Sequence, residues 1–259
     1  MAMITNLLFV LAFGLTVTTE VDLHKRIIAG RNCTDEERPY HVKFQYASGC
    51  NRCGASLISD RWILTAAHCW NNYVFLLNFI YFSSIPMRAM LSPHPGPGQE
   101  ARFFQSPYFL NNESGRPDIM LLKLEQKTTT PYISLPNCTK RHIQKGDVVQ
   151  IAGYGYTEVD CNMTKVRSEP QVLQCADFKV KNRQPYTYGG DNLTTQVFDV
   201  NTDQADPSPG DSGGGVVFNN AIYGVIIEAG HTTAHVVEAS FVDVCHYIDS
   251  IKEIMARHA

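Results

Sequence analysis

The 259-residue chain has no surplus of either charge: 22 Lys and Arg face 25 Asp and Glu, for a net −3. Such a balance leaves no basic footprint for nucleic acid and no polybasic patch for a membrane surface. After the first twenty residues no apolar run is long enough to cross a bilayer; the nearest, 73–82, is strand-sized. Repeats, low-complexity tracts and long linkers are absent, and the densest break, "SPHPGPG" at 92–98, has the composition of a surface loop. Helical periodicity is scarce, which counts against an alternating α/β chain. The one C-x-x-C, Cys50 to Cys53, has no second pair, so as a zinc or redox site it is half complete.

What is present starts with an export signal. The first twenty residues hold no Lys or Arg, and Leu7 to Val17 form an apolar run of signal-peptide length. Residues 1–19 are therefore expected to be a signal peptide, and the protein secreted and extracellular. Export sets the reading of the cysteines at 33, 50, 53, 69, 138, 161, 175 and 245. An even number in an oxidising compartment implies four disulfides, with about 105 connectivities open to them. Sequons at Asn32, Asn112, Asn137, Asn162 and Asn192 mark candidate glycosylation sites and agree with a secretory route; two of them have Cys as the middle residue.

Short apolar or alternating runs recur between turn signals: "HVKFQY" (41–46), "RWILTAA" (61–67), "IMLLKL" (119–124), "DVVQIAGYG" (147–155), "GGVVF" (214–218), "AIYGVIIEA" (221–229) and "SFVDV" (240–244). Many strands with few helical patterns predict an all-β sandwich or barrel. In the tail, Ile248, Ile251, Ile254 and Met255 recur at helical spacing, which predicts one C-terminal helix packed on the sheet.

Three segments carry chemistry: "LTAAHC" with His68, "RPDIMLLKL" with Asp118, and "GDSGG" with Ser212. Acyl transfer needs a hydroxyl nucleophile, an imidazole to take its proton, and a carboxylate to hold that imidazole and stabilise its cation. "GDSGG" also fits the nucleophile elbow of α/β-hydrolases, but that fold places its serine before the acid and histidine and needs helices between strands. The order His68, Asp118, Ser212 is instead that of chymotrypsin-like enzymes.

Through "RIIAG" (26–30), "GASLISDRWILTAAHC" (54–69), "DIMLLKL" (118–124) and "GDSGG" (210–214), the chain resembles the trypsin/chymotrypsin family of serine peptidases over residues 26–259. The resemblance implies two six-stranded antiparallel Greek-key β-barrels with a C-terminal α-helix. It divides the chain into a propeptide at 20–26 and a peptidase domain at 27–259. The sub-barrels would span about 27–130 and 131–245, and the helix about 246–257. Ser212 would attack the scissile carbonyl, His68 would act as base and then acid, and Asp118 would orient His68. Gly210 and Ser212 would supply the oxyanion-hole N–H groups. Cleavage after Arg26 would free Ile27, whose ammonium would pair with Asp211. The disulfides implied are Cys33–Cys175, Cys53–Cys69 and Cys138–Cys245. Cys50 and Cys161 lie in segments that resemble two neighbouring loops of the family, which makes them the fourth pair. The implied partners are protein or peptide substrates, an activating protease and protein inhibitors. The family default is a monomer with no cofactor, and 70–99 has no acidic residue to supply the calcium loop of some trypsins.

Asp206, six residues before Ser212, falls where trypsin-like members hold the carboxylate of the primary specificity pocket. That implies cleavage after Arg or Lys; the alternative is a turn residue before Pro207. The pocket walls depart from the family. Ser208 stands where a cysteine is usual, and its partner after "GVIIEAG" is missing too. Ile227, Glu228 and Ala229 replace the usual Ser-Trp-Gly wall, and Ala239 replaces a glycine opposite. Ala229 and Ala239 would narrow a slot meant for a long side chain. His231 and His235 are four residues apart but lack the third ligand of a zinc motif, and read as loop histidines. Two functions follow: a secreted serine endopeptidase made as a zymogen, or a catalytically weak homologue acting as a binding module or decoy.

Overall fold

The computed structural model of the chain describes residues 27–46, 48–70, 74–76, 79–81, 87–104, 106–110, 117–168, 170–187, 194–228 and 232–259. The expected signal peptide, the propeptide with Arg26, the pocket residue Ala229, His231 and the sequons at Asn112 and Asn192 lie outside the described residues.

Alternation builds the sheets. In the strand Met87–Leu91 the buried positions are Met87, Ala89 and Leu91, with Arg88 exposed between them, the period of two that a half-buried pleated strand requires. Val149 and Ile151 point inward in the same way from Val148–Gly153. The second half of the chain closes into a barrel. Val148–Gly153, Gln174–Thr187, Thr194–Val200, Ala239–Asp243, Ala221–Glu228 and Gly215–Phe218 pair in that order, all antiparallel, and the last returns to the first through Gln150 and Val217. A ring of six strands leaves no open edge.

The first half is a seven-stranded antiparallel sheet running from Gln99–Ala101 through Met87–Leu91, His41–Tyr46, Asn51–Leu57, Trp62–Thr65 and Met120–Lys123 to Tyr108–Phe109. Among the described residues its hydrogen-bonded ring does not close, so of the two expected barrels one is seen complete. Each half has its own apolar core, the first around Phe44, Leu64 and Leu121, the second around Phe178, Phe198 and Phe241.

The chain start does not stay with the first half. Ile27 is fully buried in the second core, and Arg31–Asn32 pairs with Cys175 and Gln174 on the outside of the closed barrel. At the other end the expected helix begins as a 3-10 turn at Val244–Tyr247, where the Asp243 carboxylate accepts the Cys245 N–H at 3.0 Å. The α-helix proper spans Ile248–Arg257 and buries Ile248 and Ile251 against the first core, with Ile254 and Met255 half-buried beside them.

Three disulfides cross-link the fold: Cys33–Cys175, Cys53–Cys69 and Cys138–Cys245. The fourth expected pair, Cys50–Cys161, is not formed, and both thiols are free. The cause is local. Cys161 sits on the exposed turn of the hairpin formed by Glu158–Val159 and Lys165–Val166, where Asp160 Oδ1 accepts the N–H groups of Asn162 and Thr164 at 2.8 Å each. Cys50 packs its sulfur 3.3 Å from the Arg167 guanidinium instead. A thiol titration of unreduced native protein is therefore expected to return close to two thiols per chain. A value near zero would show that the fourth bridge forms.

Candidate active site

The strand Trp62–Thr65 runs into a single 3-10 turn, Ala67–Trp70, that carries His68. The Cys53–Cys69 bridge ties that turn to the neighbouring strand. Asp118 comes just before Met120–Lys123, and Met120 lies opposite Thr65 across the ladder, so strand pairing delivers the acid beside the histidine. The carboxylate grips His68 twice. Oδ2 lies 2.7 Å from the ring Nδ1 and Oδ1 accepts the His68 backbone N–H at 2.8 Å. A carboxylate at Nδ1 keeps the proton there and leaves Nε2 as the acceptor. Asp118 is held in turn by its own N–H, which donates to the buried Thr195 hydroxyl at 3.1 Å. The family's serine hydroxyl is lost at Ile227, which is buried in the first core; Thr195 anchors the aspartate from another direction.

Ser212 stands on the loop after Asp206. Its carbonyl accepts the Gly54 N–H at 2.8 Å, which fixes the serine backbone against the strand Asn51–Leu57. The Cys69 sulfur lies 3.7 Å from that same carbonyl oxygen and 3.9 Å from His68 Nε2, so imidazole and serine flank one sulfur. Among the described residues the N–H groups of Gly210 and Ser212 have no acceptor, whereas Asp211, Gly213 and Gly214 donate to Ser208, Ile226 and Asp211. Two unpaired N–H groups beside a serine can receive an oxyanion. Gly210 has φ +104°, and a Cβ there would come within 2.7 Å of Asn51 Nδ2, so only glycine fits.

The loop lacks the family's disulfide, and hydrogen bonds to 154–156 hold it. The Ser208 hydroxyl donates to the Tyr156 carbonyl at 2.5 Å, Tyr156 N–H to Pro209 O at 3.3 Å, and Asn51 Nδ2 to both Tyr154 O and Gly210 O. Asp211 is fully buried beneath. Its Oδ1 accepts Gly155 N–H at 2.7 Å and its Oδ2 accepts Ser208 N–H at 2.9 Å. Burial still pushes its carboxyl up to about 6, against the pull of those donors and the Lys165 charge. Among the described residues Asp211 has no ion pair. A Cβ on Gly155 would meet Asp211 Oδ2 at 2.4 Å, so this approach depends on glycine. Nearby, Ile28 bridges Asp206 through Asp206 N–H to Ile28 O at 3.0 Å.

Asp206 has one oxygen partnered, while its buried Oδ1 has no hydrogen-bond partner among the described residues. Its Oδ2 lies 2.9 Å from Lys165 Nζ and accepts the His235 N–H at 2.8 Å, and both side chains of the ion pair are 2% exposed. Lys165 Nζ also donates to Pro207 O at 2.7 Å. The chain's own ammonium thus sits on one oxygen of the carboxylate that the expected preference for Arg or Lys requires. Ala239, expected as a pocket wall, is fully buried in the second core. His235 N–H serves Asp206, and its Nδ1 lies 2.5 Å from Thr202 O.

Two groups of potential metal ligands converge among the described residues, Cys53–His68–Cys69 and Cys33–Glu37–Cys175, but in each the two sulfurs are joined in a disulfide and are not thiolates. Asn51, Thr195 and Lys165 escape sequence reasoning, since none lies in a motif and each acts on a residue distant in the chain. Among the described residues no helix is long and apolar enough to cross a membrane.

The family model named Trypsin matches residues 27–251. Among curated proteins, the chain is similar to the anionic trypsin of Canis lupus familiaris, 27% identical over 267 residues that cover 98% of this chain and 100% of that one. It is also similar to kallikrein-15 of Homo sapiens, at 29% with 97% and 99% covered, and to kallikrein-11 of Mus musculus, at 30% with 92% and 86% covered. A match that begins at the buried Ile27 and takes in the segments carrying His68, Asp118 and Ser212 means that the chain belongs to the trypsin family of serine proteases.

Proposed function

We propose that the protein is a secreted serine endopeptidase made as a zymogen. The observation that carries this is the double grip of Asp118 on His68, with Ser212 across the Cys69 sulfur and the N–H groups of Gly210 and Ser212 without acceptors among the described residues. Ser212 Oγ attacks the scissile carbonyl while His68 Nε2 takes its proton. Asp118 stabilises the imidazolium from Nδ1, and the N–H groups of Gly210 and Ser212 hold the oxyanion. His68 then protonates the leaving amine, and a water, deprotonated by the same nitrogen, releases the acyl group.

Cleavage after Arg26 by an activating protease frees the Ile27 amine. Its side chain is already buried in the second core, and its ammonium pairs with Asp211 to order the Gly210 donor. The enzyme works as a monomer on protein or peptide substrates and is subject to protein inhibitors. Of its sequons, Asn32, Asn137 and Asn162 are exposed, which suits glycosylation.

Labelling with a fluorophosphonate after cleavage at Arg26 tests this. The expected result is a single covalent adduct on Ser212, absent when the protein is denatured before the reagent is added. An unlabelled, fully cleaved and folded protein would reject catalysis and leave the binding-module alternative.

A further inference from the structure

The buried Lys165–Asp206 pair is unexplained by the catalytic machinery. Lys165 opens the return strand of the short hairpin, and that strand is laced to the segment beside the pocket. Lys165 N–H donates to Thr232 O at 2.7 Å, Thr164 bridges Thr233, and Ala234 N–H donates to Met163 O at 2.8 Å. The lacing aims the lysine stem inward, to an ammonium held by a carboxylate and by the Pro207 carbonyl. The geometry has the features of a bound cationic side chain: an aliphatic stem out of solvent, a carboxylate on the ammonium, and a carbonyl taking a second N–H.

We propose that Lys165 is a specificity-determining residue, filling the primary pocket from within so that the cleft rejects Arg and Lys side chains and accepts small uncharged ones. This rests on the assignment of Asp206 to the substrate pocket of the peptidase proposed above. An incoming guanidinium must first expel Lys165, which breaks a buried ion pair and moves its ammonium to water. Breaking such a pair weakens cation binding on the order of 10²- to 10³-fold. A small apolar side chain needs no such exchange. Repulsion between an incoming cation and a resident one discriminates more sharply than any loss of attraction.

The probe is p-aminobenzamidine, a small aromatic cation whose fluorescence rises on burial and whose binding needs no catalysis, so failure of the peptidase reading is scored separately by fluorophosphonate labelling. With protein cleaved after Arg26, the wild type is expected to show no saturable binding into the millimolar range. Lys165→Ala and Lys165→Met, the latter keeping most of the stem, should each bind at least ~100-fold more tightly, and Lys165→Ala/Asp206→Ser should lose the gain. On peptide libraries the same two variants should gain cleavage after Arg and Lys relative to Ala. A wild type that binds the probe within threefold of the variants overturns the proposal. A second measurement needs only the wild type: Lys165 should resist acetylation by a water-soluble N-hydroxysuccinimide ester, read by mass spectrometry, while exposed lysines react. Acetylation of Lys165 at the rate of exposed lysines overturns it as well.

Discussion

Ser212→Ala will lower kcat on the order of 10⁶-fold, His68→Ala will do about as much, and the double variant will be no worse than either alone. The expectation of non-additivity comes from the division of labour: without the imidazole the hydroxyl keeps its proton, and without the hydroxyl the imidazole has nothing to deprotonate. Asp118→Asn is the more telling substitution, with an expected loss of about 10⁴-fold. Both oxygens of Asp118 accept from N–H donors of one residue, the ring Nδ1 and the backbone nitrogen of His68. An asparagine offers one acceptor and one donor. The backbone N–H cannot change its role, so the amide oxygen faces it and the NH₂ faces Nδ1. The ring must then accept at Nδ1 and carry its proton on Nε2, where it can no longer deprotonate Ser212. The measurement is single-turnover hydrolysis of an activated ester by the cleaved variants, alongside their unfolding midpoints. A folded Asp118→Asn enzyme within tenfold of the parent would remove Asp118 from this role.

What could be read from the sequence divides along the range of the interactions. His68, Asp118 and Ser212 stand in short segments whose local pattern predicts strand, turn and loop, and strand pairing then brings the first two together. The strands and the terminal helix were legible for the same reason, since apolar spacing is a local signal; the choice of barrel over sandwich came from the family resemblance. The 3-10 start of the helix depends on the carboxylate of one residue, Asp243, bending back on its own chain, a detail that apolar spacing does not carry. The place of the chain start was harder. Ile27 and Arg31–Asn32 join the second barrel through partners about 140 residues away, which the apolar spacing of "RIIAGRNC" does not specify and only the family resemblance, through Cys33–Cys175, implied. Cys50 and Cys161 illustrate the limit most sharply. Cysteine counting leaves them for each other, but pairing depends on where an Asp160 turn and an Arg167 guanidinium place the two sulfurs. Asp206 was found and its occupant was not. The motif that locates a carboxylate carries no information about a lysine 41 residues upstream that folds onto it.

Arg26→Gln will keep the protein uncleaved and on the order of 10²- to 10³-fold slower than the chain cleaved after Arg26, the scale of losing the ordered Gly210 oxyanion donor. Its stability will also depend on pH in a way that cleavage removes. In the uncut chain the nitrogen of Ile27 is an amide and cannot neutralise Asp211, whose carboxyl burial pushes from 3.8 up to about 6. Between about pH 4 and 6 the folded precursor therefore holds a proton that the unfolded chain has released. Stability falls as pH rises through that window, by about 3 kcal/mol at ~1.4 kcal/mol per pKa unit, and the penalty is complete above about 6. After cleavage an ammonium arrives in the same barrel, where Ile27 is already buried and Ile28 is already bridged to Asp206. The pair favours the carboxylate, so its contribution reverses sign: present above the unfolded carboxyl range and lost as pH falls through the lowered native value. Calorimetric unfolding of Arg26→Gln and of cleaved enzyme from pH 4 to 7 should therefore give curves that diverge as pH rises. Asp211→Asn should flatten the precursor curve and leave the cleaved chain inactive. Full turnover from an Arg26→Gln precursor, or parallel pH curves before and after cleavage, would show that Asp211 does not couple the new N-terminus to the oxyanion loop.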